Sequence, residues 1–325
     1  MSRVTFILTP LTPLHIGAGE ALEAYEYVVI DNKLYSFSPE QVLGRLSPPE
    51  QEKFVNLLGT NLGELQRFLR ERKELVADHA NYTIPMTDEA QRLYTERLHN
   101  PRSDLAIYPF IKTSYKPFIP GSSLKGAIRT AMLYTKARHP ITDYNCRRLE
   151  QDTFSYNRIT DDPFKNFKLS DSQACPDATR LATVAVFTRR ANAWQASIPM
   201  LREVTNSKMT SDSAQSFTHT VELKEEAGFK LEELIRACRQ FYDLHLETEA
   251  RYLDNLPQPR EIYHRLLNLK NSLNPDSFLL RLGWGSGFDA VTLNYAMAQR
   301  KEKRSRRLAA AGIPLGWVEI TMRSC

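Results

Sequence analysis

The sequence predicts an α+β protein, because strand-like and helix-like segments follow one another without a regular strand–helix alternation. The chain has 325 residues, which is enough for two domains of ordinary size. Hydrophobic residues make up 42% and charged residues 25%, values that are usual in globular proteins and argue against disorder. We therefore expect two α+β domains, residues 1–175 and 176–325, with a helical insertion in the first over residues 39–100.

The first half opens with extended segments. The opening VTFILTPLTPLHIG predicts a strand that ends in the turn Gly17-Ala18-Gly19. Residues 25–30 and 34–37 flank Asp31-Asn32-Lys33, which predicts a hairpin. Leucine-rich helical spacing over residues 39–98 predicts the helical insertion.

A helix is predicted immediately after Pro120. Ser122 or Ser123 can accept the free N–H groups of its first turn. One face of this helix is apolar, and three cations lie along the edge of that face: Lys125, Arg129 and Lys136. The helix therefore offers positive charge behind an N-terminus whose dipole favours phosphate.

The second half mixes strands with two amphipathic helices. The apolar, β-branched residues 181–187 predict a central strand, with 198–204 and 217–223 as candidates to pair with it. The other predicted elements are strands at 164–170, 277–282 and 317–322 and helices at 231–246 and 260–273.

Positive charge is concentrated in three acid-poor runs. Residues 105–142 contain six Lys or Arg and no acid, residues 178–202 contain four Arg and no acid, and six of the eight residues 300–307 are basic. The last run alone carries +5, as much as the whole chain. Such runs fit a polyanionic partner, although single runs also occur on ordinary solvated surfaces. The three together indicate a nucleic acid.

Two Gly-rich segments are candidates for holding phosphates. GSSLKG (residues 121–126) lacks the spacing of a Walker loop, and the segment from Gly283 to Phe288 has Phe where a dinucleotide-binding fingerprint needs its third Gly. Both place backbone N–H groups beside small side chains, which is how proteins contact phosphates without reading bases. Trp284 and Phe288 are candidates for stacking on bases, with ordinary core packing as the alternative.

A catalytic site is harder to find. His15, with Tyr25, Tyr27 or Lys125, is a candidate for a metal-independent ribonuclease, but a structural or phosphate-contacting histidine is the simpler interpretation. Asp161, Asp162 and Asp171 are better explained by turns and caps than by metal binding.

No cofactor, metal or membrane segment is expected. The sequence has four scattered cysteines and no CxxC pair: Cys146, Cys175, Cys238 and Cys325. This pattern indicates neither a zinc site nor a disulfide framework. A reducing cytoplasm is therefore the expected compartment. The acid- and base-free residues 4–19 are too short and too broken by proline and glycine to span a membrane.

Four motifs together resemble the RAMP superfamily of CRISPR proteins: LTPLHIGAGE near the start, FIPGSSLKGAIR at 118–129, FKLSDS at 167–172 and RLGWGSGF at 281–288. Their order and spacing extend over nearly the whole chain. Within the superfamily, the PLHIG-x-GE opening followed by Tyr25-Glu26-Tyr27 is most similar to the subunit that caps the guide RNA 3′ end in type III-A (Csm) interference complexes.

The resemblance implies two tandem ferredoxin-like (RRM-like) modules and a non-catalytic subunit. It implies contacts with the 3′ region of the guide RNA (crRNA), with adjacent backbone RAMP and small subunits, and with target RNA and host trimming nucleases. Together with the charge pattern, it gives these candidate RNA-binding residues: His15, Gly17, Lys112, Lys116, Gly121, Ser122, Ser123, Lys125, Arg129, Arg189, Arg190, Arg281, Gly283, Trp284, Gly285, Ser286, Gly287 and Phe288.

One departure from the family argues against target cleavage. The backbone RAMP subunit cuts with an aspartate in the loop after its own HIG-type turn, whereas residues 20–27 here contain glutamates and no aspartate. Three alternatives stay open: a RAMP subunit at the 5′-tag or backbone position, a guide-processing endoribonuclease that uses His15, and a general single-strand RNA-binding protein outside CRISPR.

Overall fold

The first and last strands of the chain lie side by side in the middle of a five-stranded antiparallel sheet. The computed structural model describes residues 2–100, 104–142, 148–191 and 193–324. Across this sheet the strands follow the order β13 (Ser277–Arg281), β16 (Trp317–Ser324), β1 (Ser2–Pro10), β12 (Phe217–Leu223) and β8 (Phe167–Leu169). The mixed α+β class predicted from the sequence is confirmed.

The main core lies between this sheet and two long helices, α6 (Gly121–Lys136) and α8 (Leu231–Tyr252). In β1 the side chains of Val4, Phe6 and Leu8 are buried in that core and alternate with half-exposed neighbours, which is the period-two pattern of a strand covered on one face. A third helix, α9 (Pro257–Asn271), contributes Tyr263 and Leu266 to the same core.

A second large sheet is built around β9 (Thr179–Arg190), the central strand that the apolar residues 181–187 predict. Its full strand order is β15 (Ile313–Pro314), β14 (Ser305–Ala309), β9, β11 (Met200–Thr205) and β5 (Ile107–Tyr108), and β10 (Ala193–Ala196) pairs with the end of β9. The expected pairing of residues 217–223 with this strand is wrong, because β12 pairs with β1 and β8 in the first sheet.

The insertion is mainly helical, as expected, but also contributes one strand to a small sheet whose other two strands precede residue 39. This sheet consists of β2 (Tyr27–Ile30), β3 (Lys33–Phe37) and β4 (Ala80–Pro85). Asp31 and Asn32 join β2 to β3 with φ of 48° and 59°, the backbone of a tight type I′ hairpin. The helices of the insertion are α1 (Pro39–Leu43), α2 (Pro48–Thr60), α3 (Leu62–Arg70), α4 (Lys73–Asp78) and α5 (Asp88–Leu98).

The boundary expected near residue 175 does not separate the two large sheets. Strands from both sides of it form the first sheet, because β1 and β8 precede it and β12, β13 and β16 follow it. The second sheet likewise takes β5 from the first half. Each sheet is therefore assembled from distant parts of the chain rather than from one half.

The remaining elements are short. A hairpin joins β6 (Lys112–Thr113) to β7 (Lys116–Pro117), and α7 (Leu149–Phe154) packs against α6. Within the described ranges no helix is both long and apolar enough to cross a membrane. Cys175 and Cys238 are free thiols, and Cys146 and Cys325 lie outside the described residues.

Candidate nucleic-acid interface

The start of α6 is held by the FKLSDS motif rather than by its own serines. The helix begins at Gly121, and the N–H of Gly121 donates a hydrogen bond of 2.8 Å to Oδ1 of Asp171. A Cβ on Gly121 would overlap the carbonyl oxygens of Leu169 and Ser170, so only glycine fits here. The predicted capping by Ser122 or Ser123 is therefore wrong, and the carboxylate of Asp171 takes that role.

The Gly-rich loop after β13 packs against the turn that follows β1. The N–H of Trp284 donates a hydrogen bond of 2.8 Å to the carbonyl oxygen of His15. Gly283 has φ of +78°, and a Cβ on it would overlap that same oxygen. Gly285 has φ of +93°, and its Cβ would stand 2.7 Å from Cδ1 of Leu315. Both glycines are thus required by backbone conformation and by close packing.

The other two small residues of the loop are held differently. Ser286 is 2% exposed and its hydroxyl donates a hydrogen bond of 2.8 Å to the carbonyl oxygen of Gly283. Gly287 needs glycine for its φ of +91°, and a Cβ on it would meet Nη1 of Arg281 at 4.0 Å, an ordinary contact. Ser286 therefore stabilises the loop, and Gly287 is required by its backbone conformation.

An open groove of roughly 360 Å³ separates α6 from the Gly-rich loop. Small and hydroxyl-bearing residues line the α6 side, and mainly apolar residues with one arginine line the other: Ser122, Ser123, Gly126, Ala127 and Thr130 from α6, and Arg281, Leu282, Gly283, Ala290 and Val291 opposite. The structure thus brings the two Gly-rich segments, 160 residues apart in the chain, to opposite walls of one groove.

Gly126 is the residue of this groove that packing does not explain. A Cβ on Gly126 would meet no described atom within 4 Å, and the residue is exposed on α6. A glycine inside a helix costs about 0.5–1 kcal/mol relative to alanine. Gly126 keeps the groove wide and does not stabilise the helix. This is consistent with a ligand that approaches the helix backbone closely.

Three of the predicted phosphate-binding cations are instead neutralised by carboxylates. Arg129 contacts Glu150 and Asp162, each at 2.8 Å. Lys112 pairs with the buried carboxylate of Glu203, and Arg281 pairs with Glu249 at 3.0 Å. These ion pairs give Arg129, Lys112 and Arg281 structural roles, and their contacts with RNA stay a prediction.

Arg281 belongs to a buried ionic network that holds the two large sheets together. Glu249 on α8 is 1% exposed and accepts hydrogen bonds from Arg281 of β13 and from Arg306 of β14. His245 adds a contact of 3.1 Å to Arg281. Burial alone would raise the pKa of Glu249, but Arg306 and Arg281 outweigh it and lower that pKa to about 2.

The other predicted cations have no ion pair within the described part of the chain. Lys125 lies beside Gly126 on α6, half-buried, and burial lowers its pKa. Lys116 is exposed in the β6–β7 hairpin. Arg189 and Arg190 lie at the far end of β9, where the guanidinium of Arg189 is 5.4 Å from the ring centre of Tyr252. Of these four, Lys125 is on the helix that forms one wall of the groove, and its Nζ lies 6.0 Å from the ring centre of Phe167.

His15 is buried and both of its ring nitrogens are occupied. Nδ1 lies 2.7 Å from the carbonyl oxygen of Glu203, and Nε2 lies 2.9 Å from Nη1 of Arg202. The arginine can only donate, so Nε2 accepts and Nδ1 carries the proton. Burial, opposed by the Glu203 hydrogen bond and assisted by Arg202, lowers the pKa of His15 to about 4. Neighbouring Gly17 forms a bridge with Phe110.

Trp284 does not present a free ring for stacking. The guanidinium of Arg202 lies 3.6 Å from its ring centre and that of Arg307 lies 4.6 Å from it. Phe288 lies 4.7 Å from Nζ of Lys303. Trp284 thus makes cation–π contacts with two arginines, and its stacking on bases stays a prediction. Sequence reasoning placed Arg202 and Arg307 in acid-poor runs but missed their meeting at Trp284.

No metal-binding constellation stands out in the ranges that the structure describes, where no group of three or more His, Cys, Asp or Glu side chains could hold an ion. Asp162 is engaged by Arg129, and Asp171 caps α6. Both aspartates therefore have the structural roles that the sequence favoured.

Comparison with known proteins identifies the superfamily of this chain. The family model of the RAMP superfamily matches residues 7–288, so the chain belongs to the RAMP superfamily. It is 28% identical over 343 aligned positions to the CRISPR system Cms protein Csm5 of Streptococcus thermophilus, covering 98% of this chain and 88% of that protein. A Csm5 of Methanocaldococcus jannaschii is 26% identical over 176 positions, or 50% of this chain and 41% of the relative.

Two solved structures share the fold. One is a chain in the cryo-EM structure of a Csm-crRNA-target RNA ternary complex of a type III-A CRISPR-Cas system, with a TM-score of 0.73, 21% identity and coverage of 98% of this chain and 100% of that one. The other is the crystal structure of T. onnurineus Csm5, with a TM-score of 0.68, 21% identity and coverage of 96% and 99%.

Proposed function

We propose that this chain is a non-catalytic RNA-binding subunit of a cytoplasmic type III-A CRISPR (Csm) interference complex. In this proposal it grips the 3′ region of the guide RNA, caps the filament of backbone subunits and supports maturation of the guide 3′ end. Similarity to Csm5 over 98% of the chain supports this assignment. Its partners are then the crRNA, the adjacent backbone RAMP and small subunits, target RNA and host trimming nucleases.

The observation that carries the proposal is the groove between α6 and the Gly-rich loop. Its α6 wall offers hydroxyls and small side chains, its opposite wall is mainly apolar, and none of its lining residues carries a carboxylate. Such a surface admits a sugar–phosphate backbone closely and contacts it without reading bases. Lys125, which has no ion pair among the described residues, adds positive charge to the helix that forms this wall. The groove therefore suits a guide RNA whose sequence varies while its backbone does not.

We also propose a ferredoxin-like module for the first sheet. Its chain order β1–α6–β8–β12–α8–β16 and its strand order β16-β1-β12-β8 are those of a strand–helix–strand–strand–helix–strand unit, with β13 added at the edge. The second large sheet would be the other RAMP module, inserted into the first rather than following it.

A ribonuclease that uses His15 is disfavoured by the site itself. A general base needs an accessible nitrogen with a pKa near the working pH, and His15 is 1% exposed with a pKa lowered to about 4. Cleavage of repeat RNA by the purified chain, lost in His15→Ala, would nevertheless establish that alternative.

Co-expression with Csm partners and a guide-RNA array tests the proposal directly. Purification through this chain should recover backbone subunits and guide RNA, and omission of this chain should abolish mature 3′ ends. Gly126→Leu, which fills the groove while favouring helix, should reduce recovery of guide RNA. Gly59→Leu, at an exposed position on α2 whose Cβ also meets no described atom within 4 Å, is the matched control.

Two outcomes would contradict the proposal. Recovery of the chain alone, with RNA of arbitrary sequence or none, would indicate a general single-strand RNA-binding protein or no RNA role. Recovery of the complex with guide RNA protected at its 5′ tag, and with 3′ ends independent of this chain, would indicate another RAMP position.

A further inference from the structure

Arg202 is a nearly buried arginine with no carboxylate partner among the described residues. It is 9% exposed, and its guanidinium lies 3.6 Å from the Trp284 ring centre and 4.1 Å from that of Tyr108. Its polar contacts are Nε with Sδ of Met200 at 3.2 Å and Nη1 with Nε2 of His15 at 2.9 Å. Both partners are neutral, so no described anion in this pocket balances the charge.

Arg307 brings a second uncompensated charge to the same place. On β9, Ala182 pairs with Arg202 and Val186 pairs with Arg307. Residues four apart on a strand point to one face, so both arginines rise from the same face of the second sheet. Arg307 is exposed, has no ion pair within the described ranges and lies 4.6 Å from the Trp284 ring centre.

The two other buried arginines of the described chain differ from Arg202 in their partners. Arg281 and Arg306 both contact the carboxylate of Glu249. A desolvated cation without a counter-charge is costly, and a second cation beside it adds repulsion. Burial, with a contribution from Arg307, lowers the pKa of Arg202 to about 10. The fold holds the two arginines together despite the desolvation and the repulsion, which indicates that the pair binds an anion.

We propose that Arg202 and Arg307, gathered at the Trp284 ring, together bind one backbone phosphate of a single-stranded RNA that passes out of the groove. The site follows directly from the groove in the chain, because Gly283 lines the groove wall and Trp284 is the next residue. Planar guanidinium groups match phosphate oxygens, and the indole fixes their orientation. The ligand identity rests on the proposed RNA function, whereas the two-arginine phosphate site does not depend on which RAMP position the chain occupies.

The test measures binding of a fluorescein-labelled single-stranded RNA of mixed sequence to the full chain over a range of salt concentrations. Arg307→Ala should weaken binding several-fold at low salt and reduce the slope of log affinity against log salt by about 0.7. Arg307→Lys should keep the slope but bind more weakly, since it loses the planar fork. Arg92→Ala should change neither; Arg92 is exposed on α5, which packs against the opposite face of the second sheet.

A double-mutant cycle tests whether the two arginines share one phosphate. Arg202→Gln removes the charge while keeping a donor for His15, and circular dichroism checks that it folds. With a shared phosphate, the double variant loses less affinity than the product of the two single losses. Strict multiplication of the losses would overturn the shared site, and so would an unchanged salt slope in Arg307→Ala.

The two proposals fail in distinguishable ways. If wild-type chain binds RNA, Gly126→Leu weakens it and Arg307→Ala does not, the RNA function stands and the phosphate site is wrong. If wild-type chain shows no salt-dependent RNA binding, both proposals are wrong.

Discussion

The N–H of Trp284 donates a hydrogen bond to the carbonyl oxygen of His15, which joins the Gly-rich loop to the turn after the first strand. At this junction Gly283 packs against the His15 backbone and Arg202 contacts the His15 ring. One contact point thus connects the groove, the buried histidine and the two-arginine cluster. A change at this point should affect both stability and RNA binding.

Gly283→Ala should destabilise the protein by about 2 kcal/mol or more, because it imposes a left-handed residue with a Cβ and a backbone overlap at His15. Urea unfolding followed by circular dichroism measures this change. Gly126→Ala is the control, since its Cβ meets open space, and it should stabilise the protein by about 0.5–1 kcal/mol. Equal effects of the two substitutions would contradict the packing role of Gly283.

Arg129 and Lys125 are one turn apart on α6 and should have different roles. We expect Arg129 to be structural and Lys125 to bind RNA. Arg129→Ala breaks contacts with Glu150 and Asp162 and should cost about 1–2 kcal/mol of unfolding free energy with little change in the salt slope of RNA binding. Lys125→Ala should reduce that slope by about 0.7 and leave stability nearly unchanged. The reverse pattern would mean that Arg129 exchanges its carboxylates for phosphate.

Glu249→Gln should be among the most damaging single substitutions, at about 3–5 kcal/mol, because it leaves Arg281 and Arg306 buried without an anion. Urea unfolding measures it. Glu247→Gln on the same helix, whose carboxylate pairs with Lys270 and is 47% exposed, is the matched control and should cost about 0.5 kcal/mol.

Glu249 also predicts a loss of stability in acid. Its pKa is lowered from 4.5 in the unfolded reference to about 2 in the folded protein. The unfolded state therefore takes up the proton first, so the stabilisation is present above pH 4.5 and is lost as pH falls toward 2. Unfolding free energies measured across this window should fall less steeply in Glu249→Gln than in wild type.

The lowered pKa of His15 predicts a separate loss of stability at milder pH. Its pKa is lowered from 6.5 to about 4, so the unfolded state binds a proton that the folded state excludes, and stability should fall as pH drops from 6.5 to 4. His15→Gln should remove up to about one proton from that pH dependence. His264→Gln, at an exposed position on α9, is the control. A pH dependence identical in the two variants would show that folding does not lower the pKa of His15.

Local patterns in the sequence were sufficient for much of the fold. The Asp31-Asn32 hairpin, the helix after Pro120 and the central strand β9 each depend on turn residues, a break at proline or a run of β-branched residues. The strand partners were not predictable in this way. Residues 217–223 have a clear strand pattern, but only the assembled sheet places them beside β1.

The candidate site shows the same difference between features that local patterns predict and features that only tertiary contacts show. Gly283 and Gly121 were identified from their motifs, yet the motifs do not show that one packs on His15 and the other on Leu169. Arg129, Lys112 and Arg281 resembled phosphate ligands because their carboxylate partners are distant in the chain. Charge runs indicate where cations are frequent, and only tertiary contacts show which cations remain unpaired.

The central pairing of β1 with β16 has a consequence for synthesis on the ribosome. Residues 4–10 find their partners at residues 318–324, and their other neighbour is β12. Until the last of these segments leaves the exit tunnel, one edge of the first strand stays open in the nascent chain. Completion of the main sheet must therefore wait until β16 has left the tunnel, and this long sequence separation predicts slow folding and a period in which chaperones have access to an unfinished edge.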